Sequence, residues 1–145
     1  MYVANVGDTR AVLSKQGQAE RLSQDHKATD ANEVNRIRTG GGIVMENRVG
    51  GSLAVTRAFG DHSLKRDGVT AKPFINKHAI RPFDKHLVIA SDGVWDTVED
   101  QEAVAMCRDE MSTKDIAQKI VKVALDKGSK DNISCMVLRL GGSLF

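Results

Sequence analysis

Apolar positions along this chain follow two different spacings, and the spacing changes where the chain turns. Tyr2-Val-Ala-Asn-Val6 and Arg10-Ala-Val-Leu-Ser14 read as short strands joined through Gly7-Asp8-Thr9, and Lys15-Gln-Gly-Gln18 makes the next turn, so the chain opens antiparallel. A helix is predicted from Asp30, whose side chain can cap it. Glu33 stands at the capping-box position, Val34 and Ile37 point inward, and Gly40-Gly41-Gly42 ends the helix. Strand pieces follow around Ile43-Val44-Met45 and Arg48-Val49. From Gly60 to His78 the chain is polar and broken by Asp67-Gly68 and Pro73, which predicts a long excursion bordering a site.

His86-Leu-Val-Ile-Ala90 is a continuous run that reads as a buried strand, and it breaks off into Ser91-Asp92-Gly93. Two helices are predicted next. One runs from about Asp100 to Met111. The other runs from about Thr113 to Lys127, with a Ser112/Asp115 capping box, Ile116, Ile120, Val123 and Ala124 inward, and Gly128 as its stop. Lys130-Asp131-Asn132 leads into a last strand, Ile133 to Leu138, ending near Leu140. Strands in groups with helices between them predict an antiparallel α+β layered domain.

Composition narrows the classes of function. The chain has 145 residues, 41% of them hydrophobic, which suffices for one modest core. Basic and acidic residues nearly balance at 21 against 19, and no basic block or aromatic-basic interleaving marks a nucleic-acid face. No apolar stretch approaches the ~20 residues of a membrane span, and no signal-peptide pattern opens the chain. Cys107 and Cys135 lack metal or redox spacing and read as buried free thiols. A soluble protein of the cytoplasm or nucleus is the expectation.

The chemistry then falls to carboxylates. No Gly-x-Ser-x-Gly, Gly-x-x-x-x-Gly-Lys or His-Glu-x-x-His motif occurs, and the four histidines are scattered as surface or hydrogen-bonding residues. Asp92 and Asp131 each stand at a strand terminus, where a rigid stem would aim an oxygen donor at a hard cation. Asp8 taken alone reads as an Asx-turn residue.

Five motifs in order, Val3-Ala-Asn-Val-Gly-Asp-Thr-Arg10, Gln24-Asp25-His26-Lys27, Gly51-Ser-Leu-Ala-Val-Thr-Arg-Ala-Phe-Gly-Asp61, Ala90-Ser-Asp-Gly-Val-Trp-Asp96 and Gly128-Ser-Lys-Asp-Asn132, resemble the PP2C (PPM) family of metal-dependent protein serine/threonine phosphatases. The resemblance implies an αββα sandwich of two antiparallel sheets flanked by helices. It implies Mg²⁺ or Mn²⁺ as cofactor and phosphoproteins as substrates, with a metal-bound water attacking phosphorus. Residues 1–145 would be the C-terminal part of a single phosphatase domain. By the same resemblance Asp92 and Asp131 bind the catalytic metals and Asp8 belongs to a third, weaker metal position. The excursion from Gly60 to His78 resembles the flap. Arg57 is a candidate for positioning that flap or the substrate, against the plainer reading as a structural ion pair.

The chain departs from the family pattern too. The Asp-Gly-His-Gly-Gly motif, the phosphate-binding arginine and the general-acid histidine would all precede Tyr2, so no catalytic side chain is assigned here. Weak metal binding and little turnover by the isolated chain follow as expectations, as does pairing through uncovered sheet edges with another copy or with the missing half. A non-catalytic binding or regulatory module is the alternative. A haloacid-dehalogenase-type site is set aside, because Ala90 stands where the nucleophilic aspartate would be.

Overall fold

Val12, Leu13, Leu87 and Val88 sit in register at the middle of an antiparallel pair, β2 (Arg10–Lys15) against β7 (Asp84–Ala90). The computed structural model describes residues 1–141. β3 (Gln18–Arg21) returns along β2, and β8 (Cys135–Arg139) pairs with β7 through Val88↔Val137 and Ala90↔Cys135. The sheet order is β3-β2-β7-β8. β7 is internal and covered on both faces, which is why its sequence is a continuous apolar run and not an alternating one.

The chain divides into two compact units. The first holds this sheet, residues 1–3, 9–23 and 76 onward. One face of the sheet carries Val12, Val88, Ala90 and Val137. They form a core with Val94, Trp95, Val98, Val104, Ile116, Ile120 and Ala124, supplied by α2 (Asp92–Trp95), α3 (Asp100–Met106), α4 (Thr113–Asp126) and the α2–α3 turn. The other face packs Ala11, Leu13 and Leu87 with Leu22. In α4, Ser112 Oγ accepts the Asp115 N–H at 3.1 Å, and Ile116, Ile120 and Ala124 form one inward stripe. β1 (Tyr2–Asn5) pairs with β6 (Phe74–Lys77) as a separate ribbon.

The second unit comprises residues 4–8 and 24–75. α1 (Ala31–Thr39) is capped by Asp30, whose carboxylate accepts from Asn32 N at 2.7 Å and Glu33 N at 3.3 Å. Ile37 packs with Ala28, Val49 and Val69. A two-residue turn, Glu46-Asn47 with φ of 49° and 57°, joins β4 (Val44–Met45) to β5 (Arg48–Val49) in the mirror-image geometry that suits a hairpin.

The structure differs from the sequence reading in several places. α3 stops at Met106, because Cys107 is extended (φ −77°, ψ 101°) and Arg108-Asp109-Glu110 offers no inward apolar position. The excursion contains β6 and a 3₁₀ turn, His62–Leu64. Asp92-Gly93, where the strand breaks off, opens a one-turn helix anchored by the buried Trp95, whose Nε1 donates to Ala90 O at 2.8 Å. Glu33 does not close a capping box; it is buried and faces arginines. His26 and His86 are fully buried. Both cysteines are free, and burial pushes their thiols up to about 11, which leaves them poor nucleophiles at neutral pH.

Candidate metal-binding site

β7 delivers the chain to Ser91, and two loops meet there. Ser91 N donates to Ser134 O at 3.0 Å, Ser91 Oγ donates to Asn132 O at 3.1 Å, and Ser134 N donates back to Ser91 Oγ at 3.1 Å. Ser129 Oγ donates to Gly93 O at 2.6 Å. These bonds stitch the turn carrying Asp92 to the loop carrying Asp131, so the two carboxylates rest on one hydrogen-bonded frame. Gly93 is required by close approach: a Cβ there would lie 2.4 Å from Asn132 O.

Beside this seam lies an open cleft of about 380 Å³ lined by Gly93, Asp96, Thr97, Gly128, Ser129, Lys130 and Asp131. Asp96 was not singled out from the sequence. Its signal was available, since it stands one helical turn after Asp92, with Asp96 N donating to Asp92 O at 2.8 Å. The Asp131 carboxylate accepts its neighbour Asn132 N at 2.6 Å, which ties it to the loop backbone.

Asp8 belongs to the second unit. Its carboxylate faces the Lys27 ammonium at 3.8 Å. The turn that presents it is clamped: Asn5 Nδ2 donates to Gln24 O at 2.6 Å, Gln24 N donates to Asn5 Oδ1 at 3.2 Å, and His26 N donates to Gly7 O at 3.0 Å. The His26 ring adds Nδ1 at 3.0 Å from the same oxygen. Burial, reinforced by the charge of Arg57, lowers the His26 pKa, and because a carbonyl oxygen can only accept, Nδ1 is the ring nitrogen that carries the donating proton. Its Nε2 is buried without a partner, a cost of about 1–3 kcal/mol.

Arg57 meets Glu33, with Nη2 to Oε1 at 2.5 Å and Nε to Oε2 at 3.0 Å, while Nη1 donates to Lys72 O at 3.0 Å. Arg36 reaches the same carboxylate at 2.9 Å and also holds Gly68 O and Thr56 O. Thr56 Oγ1 stands 2.7 Å from Glu33 Oε2 and 3.1 Å from His26 O; its single proton serves the nearer carboxylate. Burial raises the Glu33 pKa, but the hydrogen bonds from Arg57, Arg36 and Thr56 outweigh it and hold the carboxyl far below its usual range. Arg57 thus forms an ion pair that also carries part of the excursion.

Oxygen donors of this kind fit Mg²⁺ or Mn²⁺, which bind through one or two carboxylates and keep several waters. Among the described residues no group of three His, Cys, Asp or Glu side chains could enclose a metal, so the fit is to an open, largely hydrated site. No helix among the described residues is long and apolar enough to cross a membrane.

The family model described as protein phosphatase 2C matches residues 1–133. The chain is 48% identical to protein phosphatase 2C homolog 1 of Schizosaccharomyces pombe, over 97% of this chain and 40% of that protein. It is 41% identical to protein phosphatase 2C homolog 1 of Saccharomyces cerevisiae, over 97% of this chain and 50% of that protein. A crystal structure of a phosphatase from a pathogenic strain of Toxoplasma gondii superimposes with a TM-score of 0.82 at 30% identity, covering 97% of this chain and 49% of that one. The chain therefore spans half or less of the length of these relatives.

Proposed function

We propose, from the premise that this chain belongs to the protein phosphatase 2C family, that it is the C-terminal part of a domain that hydrolyses phosphoserine and phosphothreonine in proteins. The observation that carries this reading is the seam joining the Asp92 turn to the Asp131 loop, because it holds two oxygen donors on one rigid frame. Asp92 and Asp131 would hold Mg²⁺ or Mn²⁺, Asp96 lines the cleft with Asp131 and would add a further carboxylate there, and Asp8 is assigned to a further, weaker cation. When bound, such a cation acidifies a water as the nucleophile and neutralises phosphoryl charge. Lys130, on the rim of the cleft, adds a positive charge that attracts a phosphorylated substrate. Arg57 supports the excursion through Lys72 O and retains N–H groups toward which a substrate could be drawn.

Turnover by the chain alone is expected to be close to background, since two or three carboxylates do not complete a two-cation centre. A phosphopeptide assay in Mn²⁺ tests this, with cation binding measured in parallel. Binding that disappears in Asp92→Ala, without appreciable turnover, is the expected result. Brisk turnover by the wild-type chain would contradict the expectation of inactivity, and unchanged binding in Asp92→Ala would contradict the site.

A second reading, a binding module, draws on the edge of the sheet. Among the described residues β8 has no strand on its outer side, and Met136 and Leu138, on the sheet face opposite Val137, are 60% and 39% exposed. Such an edge templates pairing. Sedimentation over a dilution series is expected to show reversible self-association that weakens in Leu138→Lys; a monomer at every concentration would remove this expectation.

A further inference from the structure

We infer that His26 is the positioning residue of the Asp8 turn: its buried imidazole fixes the peptide plane from which the Asp8 side chain departs and so sets how well that carboxylate meets a divalent cation. The inference rests on the reading of Asp8 as a cation ligand, and adds to it the group that holds the ligand in place.

The Gly7 carbonyl and the Asp8 N–H share one planar peptide unit. Two donors from His26, the backbone N–H and ring Nδ1, reach that carbonyl at 3.0 Å each, and Asn5 Nδ2 adds a longer one at 3.5 Å. Pinned from the backbone and the ring together, the plane cannot rotate, while Gly7 at φ +96° supplies the turn that a side-chain-bearing residue would resist. His26 is itself held, because its carbonyl accepts Thr56 N at 2.7 Å and Thr56 is fully buried against Glu33. The Asp8 backbone is thus tied into the frame built around α1 and does not behave as a loop tip.

The orphaned Nε2 is a second, independent sign. An apolar ring of similar size would fill the same space without burying an unbonded nitrogen, so packing does not explain a histidine here. The ring's one hydrogen bond to the rest of the chain, at Nδ1, goes to Gly7 O. Removing a group that orients a cation ligand typically lowers metal affinity by roughly tenfold to a hundredfold.

The test uses the ¹⁵N-labelled full chain titrated with Mn²⁺, reading paramagnetic broadening of the Gly7, Asp8 and Thr9 amides, with the Asp131 and Asn132 amides as the internal reference. Broadening at the Asp8 turn that is lost in Asp8→Asn establishes the cation reading; if the wild type shows none, that reading fails and the inference falls with it. Where the wild type does respond, His26→Phe is expected to weaken the Asp8 response by roughly tenfold to a hundredfold while the Asp131 response stays put. His26→Asn, which can still place an N–H toward Gly7 O, is expected to restore most of it. Equal responses in wild type and His26→Phe would overturn the inference. Should His26→Phe fail to fold, the wild-type ring decides: long-range ¹H–¹⁵N spectra must show the Nδ1–H tautomer, and the Nε2–H tautomer would overturn it.

Discussion

Glu33→Ala is expected to cost the second unit about 3 kcal/mol of stability, the lower end of what removing one partner from a buried ion pair costs. Glu33 is 3% exposed and its carboxylate is the common acceptor for Arg57, Arg36 and Thr56. Removing it leaves two guanidinium groups facing each other across a hole. Both arginines keep some access to water, with side chains 15% and 34% exposed, which is why the lower end applies. The sole tryptophan, Trp95, lies in the first unit and will not report the change. Hydrogen exchange of the α1 amides will. A loss below about 1 kcal/mol would mean that the network is surface decoration.

The same carboxyl gives a pH signature. Its folded pKa is depressed, so its contribution is full above its unfolded value of about 4.3 and fades as pH falls toward the folded one. The gap between wild type and Glu33→Gln is therefore expected to be constant from pH 8 to about 5 and to narrow below about 4. A gap that widens in acid would reverse the sign and refute the assignment.

Gly93→Ala is the second large effect, because it strikes the seam. The added carbon would lie 2.4 Å from Asn132 O, 3.0 Å from Asn132 C and 3.3 Å from Ile133 Cγ1, and backbone atoms cannot swing aside as a side-chain end can. Relief requires the Asp92 turn and the Asp131 loop to separate, which breaks the Ser91 bonds to Asn132 and Ser134. About 2–3 kcal/mol of destabilisation is expected from the overpacking, and Mn²⁺ affinity should fall by roughly tenfold to a hundredfold. Trp95, two residues on, makes the unfolding visible by fluorescence. Gly128→Ala is the contrast: φ is +86°, nothing lies within 4 Å of the added carbon, and only the local backbone penalty of about 1 kcal/mol applies. Wild-type Mn²⁺ affinity in Gly93→Ala would show that the seam does not hold the ligands.

The strands and the long helix were legible because their signals are local. The run at His86 to Ala90 is apolar throughout and buried on both faces, and α4 shows its inward stripe at Ile116, Ile120 and Ala124 together with its Ser112 cap. Asp92 was legible just beyond the end of β7, whereas Asp131 lies in the loop before β8, which starts only at Cys135, and the ordered motifs around both pointed to the family whose model matches residues 1–133. Asp96 was passed over although it stands one helical turn after Asp92, because a helix of a single turn, anchored by buried Val94 and Trp95 and by bonds to Ala90 and Ser129, shows no repeat in the sequence.

Glu33 shows where local reasoning stops. Its position three residues after Asp30 fits a capping box, yet the structure turns it inward, because Arg57 and Thr56, more than twenty residues away, offer a charged partner and a hydroxyl that the helix end does not. β6 emerges from a polar, proline-bearing stretch because β1 supplies its hydrogen bonds. The sequence by itself thus determined the alternation of strands and helices and, through its ordered motifs, the family, since periodicity and short motifs are properties of neighbouring residues. The seam at Gly93, the burial of Glu33 and His26, and the cleft shared by Asp96 and Asp131 were decided only by tertiary structure, because each depends on a close approach between segments far apart in the chain.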